Sequence, residues 1–134
     1  DSAVEEMLRF ESPVQVDART AFEPVEIDGH TITTGETVVT FLGAANRDPA
    51  VFPDPDRFDV TRHPNHPLSF AAGIHYCLGA NLARLEGRVV FDRLTRRFAD
   101  IAWLDNGPDW RGTLILRGVN HLNVAVTPKE GTTR

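Results

Sequence analysis

The stretch of this sequence best equipped for chemistry is Phe70-Ala71-Ala72-Gly73-Ile74-His75-Tyr76-Cys77-Leu78-Gly79. Cys77 is the only cysteine of the chain, so no internal disulfide and no CxxC zinc pair can form. It stands just before a strongly helical segment. There, unpaired N–H groups and the positive end of the helix dipole favour a thiolate. A thiolate is a strong metal ligand, and a haem iron can be held by a single one. Gly73 and Gly79 remove side chains where a flat cofactor or the sulfur needs close backbone approach. Phe70 is placed to shield the sulfur from water. His75, two residues away, is able to hydrogen-bond an acidic group on a cofactor. The same residues also fit a plainer reading: a small buried thiol, a solvated histidine, a turn glycine and a helix-start glycine. Spacing alone leaves the two open.

The elements that must position this loop form an α+β set. Ser2-Ala3-Val4-Glu5 reads as a capping box, followed by Val4, Met7 and Leu8 on one helical face. Pro13 stops that helix near Glu11. Residues 14–40 read as short strands. Val25-Glu26-Ile27 and Thr31-Ile32-Thr33 flank Asp28-Gly29, a tight-hairpin signal, and Gly35 marks a turn before Val38-Val39. A short helix or turn covers 42–46. Five of the nine prolines fall within 48–67, which predicts irregular coil. The strongest helix runs over about 78–98, with Leu78, Leu82, Leu85 and Val89 as its buried stripe. A closing hairpin is expected over 114–126, with Gly118 near its turn, and 127–134 reads as a polar tail.

Composition narrows the function. The chain has 134 residues, 41% hydrophobic and 25% charged, with 14 Lys and Arg against 19 Asp and Glu for a net charge of −5. One packed domain is affordable. The acidic balance argues against a nucleic-acid binder. No apolar run has membrane-span length, and the acidic opening at Asp1, Glu5 and Glu6 does not look like a signal peptide. The expected location is cytoplasmic. The start without Met, directly into a helix, suggests a piece of something longer.

Phe70, Gly73, His75, Cys77 and Gly79 resemble the cysteine-loop signature of the cytochrome P450 haem-thiolate monooxygenases. Ala71 departs from it, where the family usually has Gly, Ser, Asn or His. Glu6-Met7-Leu8-Arg9 is similar to the family's ExxR helix, and Pro55-Asp56-Arg57-Phe58 to its PxRF segment. The stretches Asn46-Arg47-Asp48-Pro49, Phe52-Pro53-Asp54-Pro55 and Leu116-Arg117-Gly118-Val119 with Leu122 resemble the bacterial, soluble branch. Asn123 departs where that branch often has Pro.

The resemblance implies that 1–126 is the C-terminal, haem-proximal part of a P450 domain whose whole fold is mainly α. It implies haem b on the Cys77 thiolate, with Phe70, Gly73, His75, Gly79 and Arg19 as further cofactor contacts. Arg19 and His75 would serve the haem propionates. Glu6, Arg9 and Arg57 would form a buried structural triad. Val14, Val16, Ile115 and Leu116 are candidates for contact with a small organic substrate. Arg62, Arg84 and Arg88 are candidates for docking an acidic ferredoxin or flavoprotein. The implied activity inserts one oxygen atom of O2 into that substrate. No AGxxT-like distal helix is found, so the isolated chain is not expected to turn over and would need the N-terminal part of its domain. Two other readings stand beside this one. One is a truncated, non-catalytic haem binder. The other is a non-haem metal or interaction module using His63, His66, His75 and Cys77, which lacks standard zinc spacing.

Overall fold

A computed structural model of the chain describes residues 1–131. It opens with α1, Ser2–Phe10, followed by β1 (Asp17–Thr20), β2 (Val25–Ile27), β3 (His30–Ile32) and β4 (Thr37–Thr40). A short α2 (Leu42–Ala45) leads into coil, a 3₁₀ turn at Gly73–His75 and the long α3, Ala80–Arg97. Strands β5 (Phe98–Trp103), β6 (Asp109–Trp110), β7 (Val119–His121) and β8 (Val124–Pro128) close the described chain. Four antiparallel two-stranded sheets result: β1 with β4, β2 with β3, β5 with β8 and β6 with β7. The α+β expectation holds.

Several local expectations hold for their stated reasons. Ile27 pairs with His30 across Asp28-Gly29, whose φ values of 49° and 77° are those of a primed hairpin turn. Residues 48–67 contain neither helix nor strand. Outside those expectations, Arg96 and Arg97 fall in the last turn of α3, where they complement the helix dipole.

Others are corrected. The capping box does not form: Asp1 is the N-cap of α1, without a side-chain cap bond, because Glu5 is engaged by Arg84 of α3 instead. Of the expected face only Val4 is buried; Met7 and Leu8 are half-buried, and the other buried residues of α1 are Glu6 and Arg9. The closing hairpin over 114–126 is absent. β7 pairs back to β6 and β8 back to β5, so one pair nests inside the other. Strand β5, which the sequence does not announce beyond the expected helix end at 98, is an outer member of that nest. The expected polar tail begins inside a strand, since Thr127 and Pro128 belong to β8; residues 132–134 lie outside the described residues.

The largest correction concerns the core. Leu78 is fully exposed, and Leu82, Leu85 and Val89 are at least 44% exposed, because no other described element lies over that face of α3. The buried apolar set is small: Val4, Val16, Leu42, Phe52 and Ala80. The chain exposes 10116 Å², against about 7,000 Å² for a compact monomer of this mass. The largest fully buried side chains are polar: Arg9, Glu6, Asn46 and Ser12.

Helices α1 and α3 meet closely because α3 carries Gly87. A Cβ built there lies 3.1 Å from Val4 Cγ1. Gly87→Val therefore overpacks the crossing and should cost about 1–3 kcal/mol. Urea unfolding checks this, and a change within about 0.5 kcal/mol would contradict the close approach.

Candidate functional site

The loop around Cys77 is held by a charged core built from α1. Glu6 and Arg9 are both fully buried and lie on the same side of the helix at i and i+3. Arg9 Nε donates to Glu6 Oε2 at 2.7 Å, and Nη2 donates to Oε1 at 2.8 Å. The other guanidinium hydrogens reach Asn46 O at 2.9 Å, Pro55 O at 2.8 Å and Arg57 O at 3.2 Å. Every donor of the fork is thereby used, which a buried arginine requires. The rings of Phe52 and Phe10 flank the guanidinium at 5.4 and 5.7 Å.

Glu6 accepts further bonds from the Asp59 N–H at 2.8 Å and from Asn65 Nδ2 at 3.0 Å. Its second cation is Arg62, with Nε 3.3 Å from Oε2. Arg62 also donates to the carbonyls of Pro53, Asp54 and Arg57. This corrects the expected triad. The Arg57 guanidinium is 71% exposed and sits 3.8 Å from Asp59; only its backbone carbonyl serves the core. A side chain pointing outward at that turn cannot reach Glu6, whereas Arg62, five residues on, folds back to it. Arg62 is correspondingly not a free docking charge. Burial pushes the Glu6 carboxyl up, but the bonds from Arg9, the Asp59 N–H and Arg62 outweigh it and hold the pKa at about 2.

A second relay runs from this core to the loop. Asn46, buried at the end of α2, accepts from the Leu68 N–H at 2.7 Å and donates to Ser69 Oγ at 2.9 Å. Ser69 Oγ donates to Leu8 O at 2.6 Å, and Ser12 Oγ lies 3.1 Å from it. Sequence reasoning missed Asn46, Ser12 and Ser69 as core residues. Small polar side chains carry no burial signal unless their partners, here distant in sequence, are known.

Beyond Ser69 the chain turns sharply. Ala71 and Gly73 both have positive φ, 57° and 63°. The alanine in this left-handed region costs about 1 kcal/mol, so the family's more tolerant residues at this position have a backbone reason. The Cys77 N–H donates to Phe70 O at 2.9 Å, and Cys77 O accepts from the Ala80 N–H at 3.2 Å. The Cys77 backbone is thus fixed on both sides just before α3, whose N-cap is Gly79. A Cβ on Gly79 would lie 3.8 Å from Sγ, in ordinary contact. Cys77 is free and exposed. It faces a cleft of about 300 Å³ lined by Val14, Asp17, Leu42, Phe70 and His75 among others.

The remaining expected site residues fall as follows. Gly73 has open space where a side chain would be. Arg19 lies on β1 and pairs with Asp17 at 2.5 Å; that bond, with a smaller influence of His75, holds the Asp17 carboxyl below its usual range. Val14 lines the cleft and bridges to Leu116, and the Gln15 N–H donates to Ile115 O at 2.9 Å. The two apolar segments singled out for substrate contact are therefore neighbours. Val16 is different, being buried in the small core. Arg84 is bound to Glu5, Tyr76 and Phe70, which leaves Arg88 as the most exposed guanidinium of the three docking candidates. Among the described residues, His63, His66, His75 and Cys77 do not gather into a set of three metal-ligating side chains, so the non-haem module lacks its ligand shell.

The donor set fits a haem. One soft sulfur faces an open, largely apolar cleft, with Gly79 beside it and an imidazole at the rim. Fold and loop together define a cysteine-loop protein that presents one thiol to a cleft from a buried charged core. The cytochrome P450 family model matches residues 1–102, and the chain belongs to the cytochrome P450 family. It is 49% identical over 125 residues to 6-deoxyerythronolide B hydroxylase of Saccharopolyspora erythraea, covering 92% of this chain and 31% of that protein. It is 52% identical over 107 residues to the biotin biosynthesis cytochrome P450 of Bacillus subtilis, covering 76% and 27%. Among solved structures it is similar to P450BioI in complex with acyl carrier protein ligated to hexadec-9Z-enoic acid (TM-score 0.88, 44% identity, 93% of this chain and 33% of that one). It is also similar to P450 OxyD, involved in the biosynthesis of vancomycin-type antibiotics (TM-score 0.90, 39% identity, 96% and 32%). The chain spans about a third of the length of the relatives it matches, whose whole fold is mainly α.

Arg62→Ala should cost about 1–3 kcal/mol, because a buried carboxylate loses a cation. Arg57→Ala, which keeps its useful carbonyl, should stay within about 0.5 kcal/mol. Paired denaturation curves distinguish the two, and equal costs would restore the expected triad. The Glu6 pKa gives a second expectation. It lies below the ordinary 4.5, so protonation favours the unfolded chain. The stabilisation is intact above about pH 4.5 and is lost as pH falls toward 2, to a total of about 3 kcal/mol. Unfolding midpoints measured across that window should fall with pH, and Glu6→Gln should flatten the trend.

Proposed function

We propose that this chain is the cysteine-ligand side of a haem-thiolate monooxygenase, with Cys77 as the axial ligand of haem b. The observation that carries the reading is the free Cys77 thiol, held at the entrance to α3 and facing the cleft, in a chain of this family. When bound, the haem supplies dioxygen activation, aided by electron density from its axial thiolate. The activity this reading assigns would place one oxygen atom of O2 in a small organic substrate and release the other as water, with two electrons from a ferredoxin or flavoprotein.

The chain's own residues have distinct tasks. Cys77 presents the sulfur, and the hydrogen bond from its N–H to Phe70 O holds its backbone in place. Phe70 covers one flank of the cleft and lowers water access to the sulfur. Gly73 and Gly79 leave room for the macrocycle. His75 and Arg19 would hold its propionates, Arg19 by giving up its pairing with Asp17. Val14, with its neighbours Ile115 and Leu116, offers apolar contact to substrate. Arg88 faces outward, where an acidic electron donor would meet it. Glu6, Arg9 and Arg62 do no chemistry and hold the loop.

The cytoplasm, whose reducing conditions keep a free thiol intact, is the compartment this reading assigns. No helix among the described residues is long and apolar enough to cross a membrane. The uncovered face of α3 and the surplus surface favour a second statement. The N-terminal part of the same domain covers these faces in the working enzyme, and the isolated chain binds haem without turnover.

The test is the spectrum of the ferrous, carbon monoxide-bound protein after haem loading. A strongly red-shifted Soret band is expected. Cys77→Ser should abolish the red shift while leaving the far-ultraviolet circular dichroism unchanged. A red-shifted band that survives Cys77→Ser, or zinc bound in place of haem, would overturn the assignment.

A further inference from the structure

Arg84 is the docking candidate whose contacts point elsewhere. Its Nε donates to Glu5 Oε1 at 2.5 Å and its Nη2 to Oε2 at 3.2 Å, a two-pronged grip on α1. Its Nη1 donates to the Tyr76 hydroxyl at 2.7 Å. Its guanidinium carbon stands 4.6 Å from the centre of the Phe70 ring. Only about a quarter of either charged side chain is exposed. One planar cation thus touches the residue directly before Cys77 and the residue whose carbonyl accepts the Cys77 N–H.

We propose that Arg84 is a positioning residue for the Cys77 thiol, clamping both arms of the cysteine loop to α1 through Tyr76 and Phe70. The thiol-aiming role rests on the haem-thiolate reading above. An ion pair serving only the α1–α3 contact would need neither the tyrosine hydroxyl nor the aromatic face. The fork geometry matters: a guanidinium donates along several fixed directions and stacks on a ring at once, whereas an ammonium is a point charge. The carboxylate also keeps the arginine firmly charged, since the Glu5 hydrogen bond raises its pKa. Such an external hold offsets the cost of the left-handed backbone at Ala71, which an L side chain rarely adopts.

The experiment compares wild type with Arg84→Gln, Arg84→Lys and Tyr76→Phe by amide hydrogen exchange of the haem-free chain. The Cys77 amide should exchange about tenfold faster or more in Arg84→Gln, while the Asn46 amide keeps its rate. Arg84→Lys should resemble Arg84→Gln, and Tyr76→Phe should fall between. An unchanged Cys77 amide, a uniform rise across α1 and α3, or full rescue by lysine would overturn the clamp. After haem loading, the red-shifted carbon monoxide band of Arg84→Gln should give way to an unshifted one several-fold faster than in wild type. A band as durable as wild type would overturn the thiol-aiming role. Absence of the band from wild type itself would instead sink the haem reading, and the exchange rates would still decide the clamp.

Discussion

A carboxylate and a guanidinium with no solvent contact set the terms for everything else in this chain. Burying Glu6 and Arg9 is tolerable only if every donor and acceptor is met, and α1 cannot meet them alone. The partners come from Asn46, Pro55, Arg57, Asp59, Arg62 and Asn65. These lie along 46–65, most of it coil without helix or strand. The coil therefore has no hydrogen-bond ladder of its own. It is held by contacts to that ion pair together with single turn bonds and the carbonyls that Arg62 bridges. Its prolines become intelligible on that basis, since Pro53 and Pro55 need only offer carbonyls, and they have no N–H to leave unsatisfied.

The same economy reaches the thiol. Asn46 gives its carbonyl to Arg9 and its side chain to Leu68 and Ser69. The start of the cysteine loop is thereby tied to the charged core within one residue. Farther on, Arg84 and Glu5 tie the loop to α1 a second time. The thiol thus stands on a polar scaffold at the edge of a chain with little apolar core. Apolar side chains on α3 and at Ile115 and Leu116 are left exposed by that division.

The cysteine loop was legible in the sequence because its glycines, histidine and thiol are local and closely spaced. The i,i+3 pair of Glu6 and Arg9 was legible for the same reason. The tight turn at Asp28-Gly29 needed only two residues to announce itself. Failure came where partners are remote. Arg62 and Arg57 are equally plausible cations in a linear reading, and only the path of the coil decides which reaches Glu6. Leu122, Val124 and Val126 alternate correctly for a strand, yet nothing local says that β8 pairs with β5 and not with β7. The stripe of Leu78, Leu82, Leu85 and Val89 is a true apolar face, but periodicity cannot say whether its cover lies within the 134 residues.

On the proposed reading, this scaffold aims the Cys77 sulfur at a haem iron. X-ray absorption at the iron edge of the haem-loaded protein tests it most directly. The account predicts one sulfur among the iron's nearest neighbours in wild type, lost in Cys77→Ser. An iron coordinated only by nitrogen and oxygen, or a sulfur that survives the substitution, would contradict it.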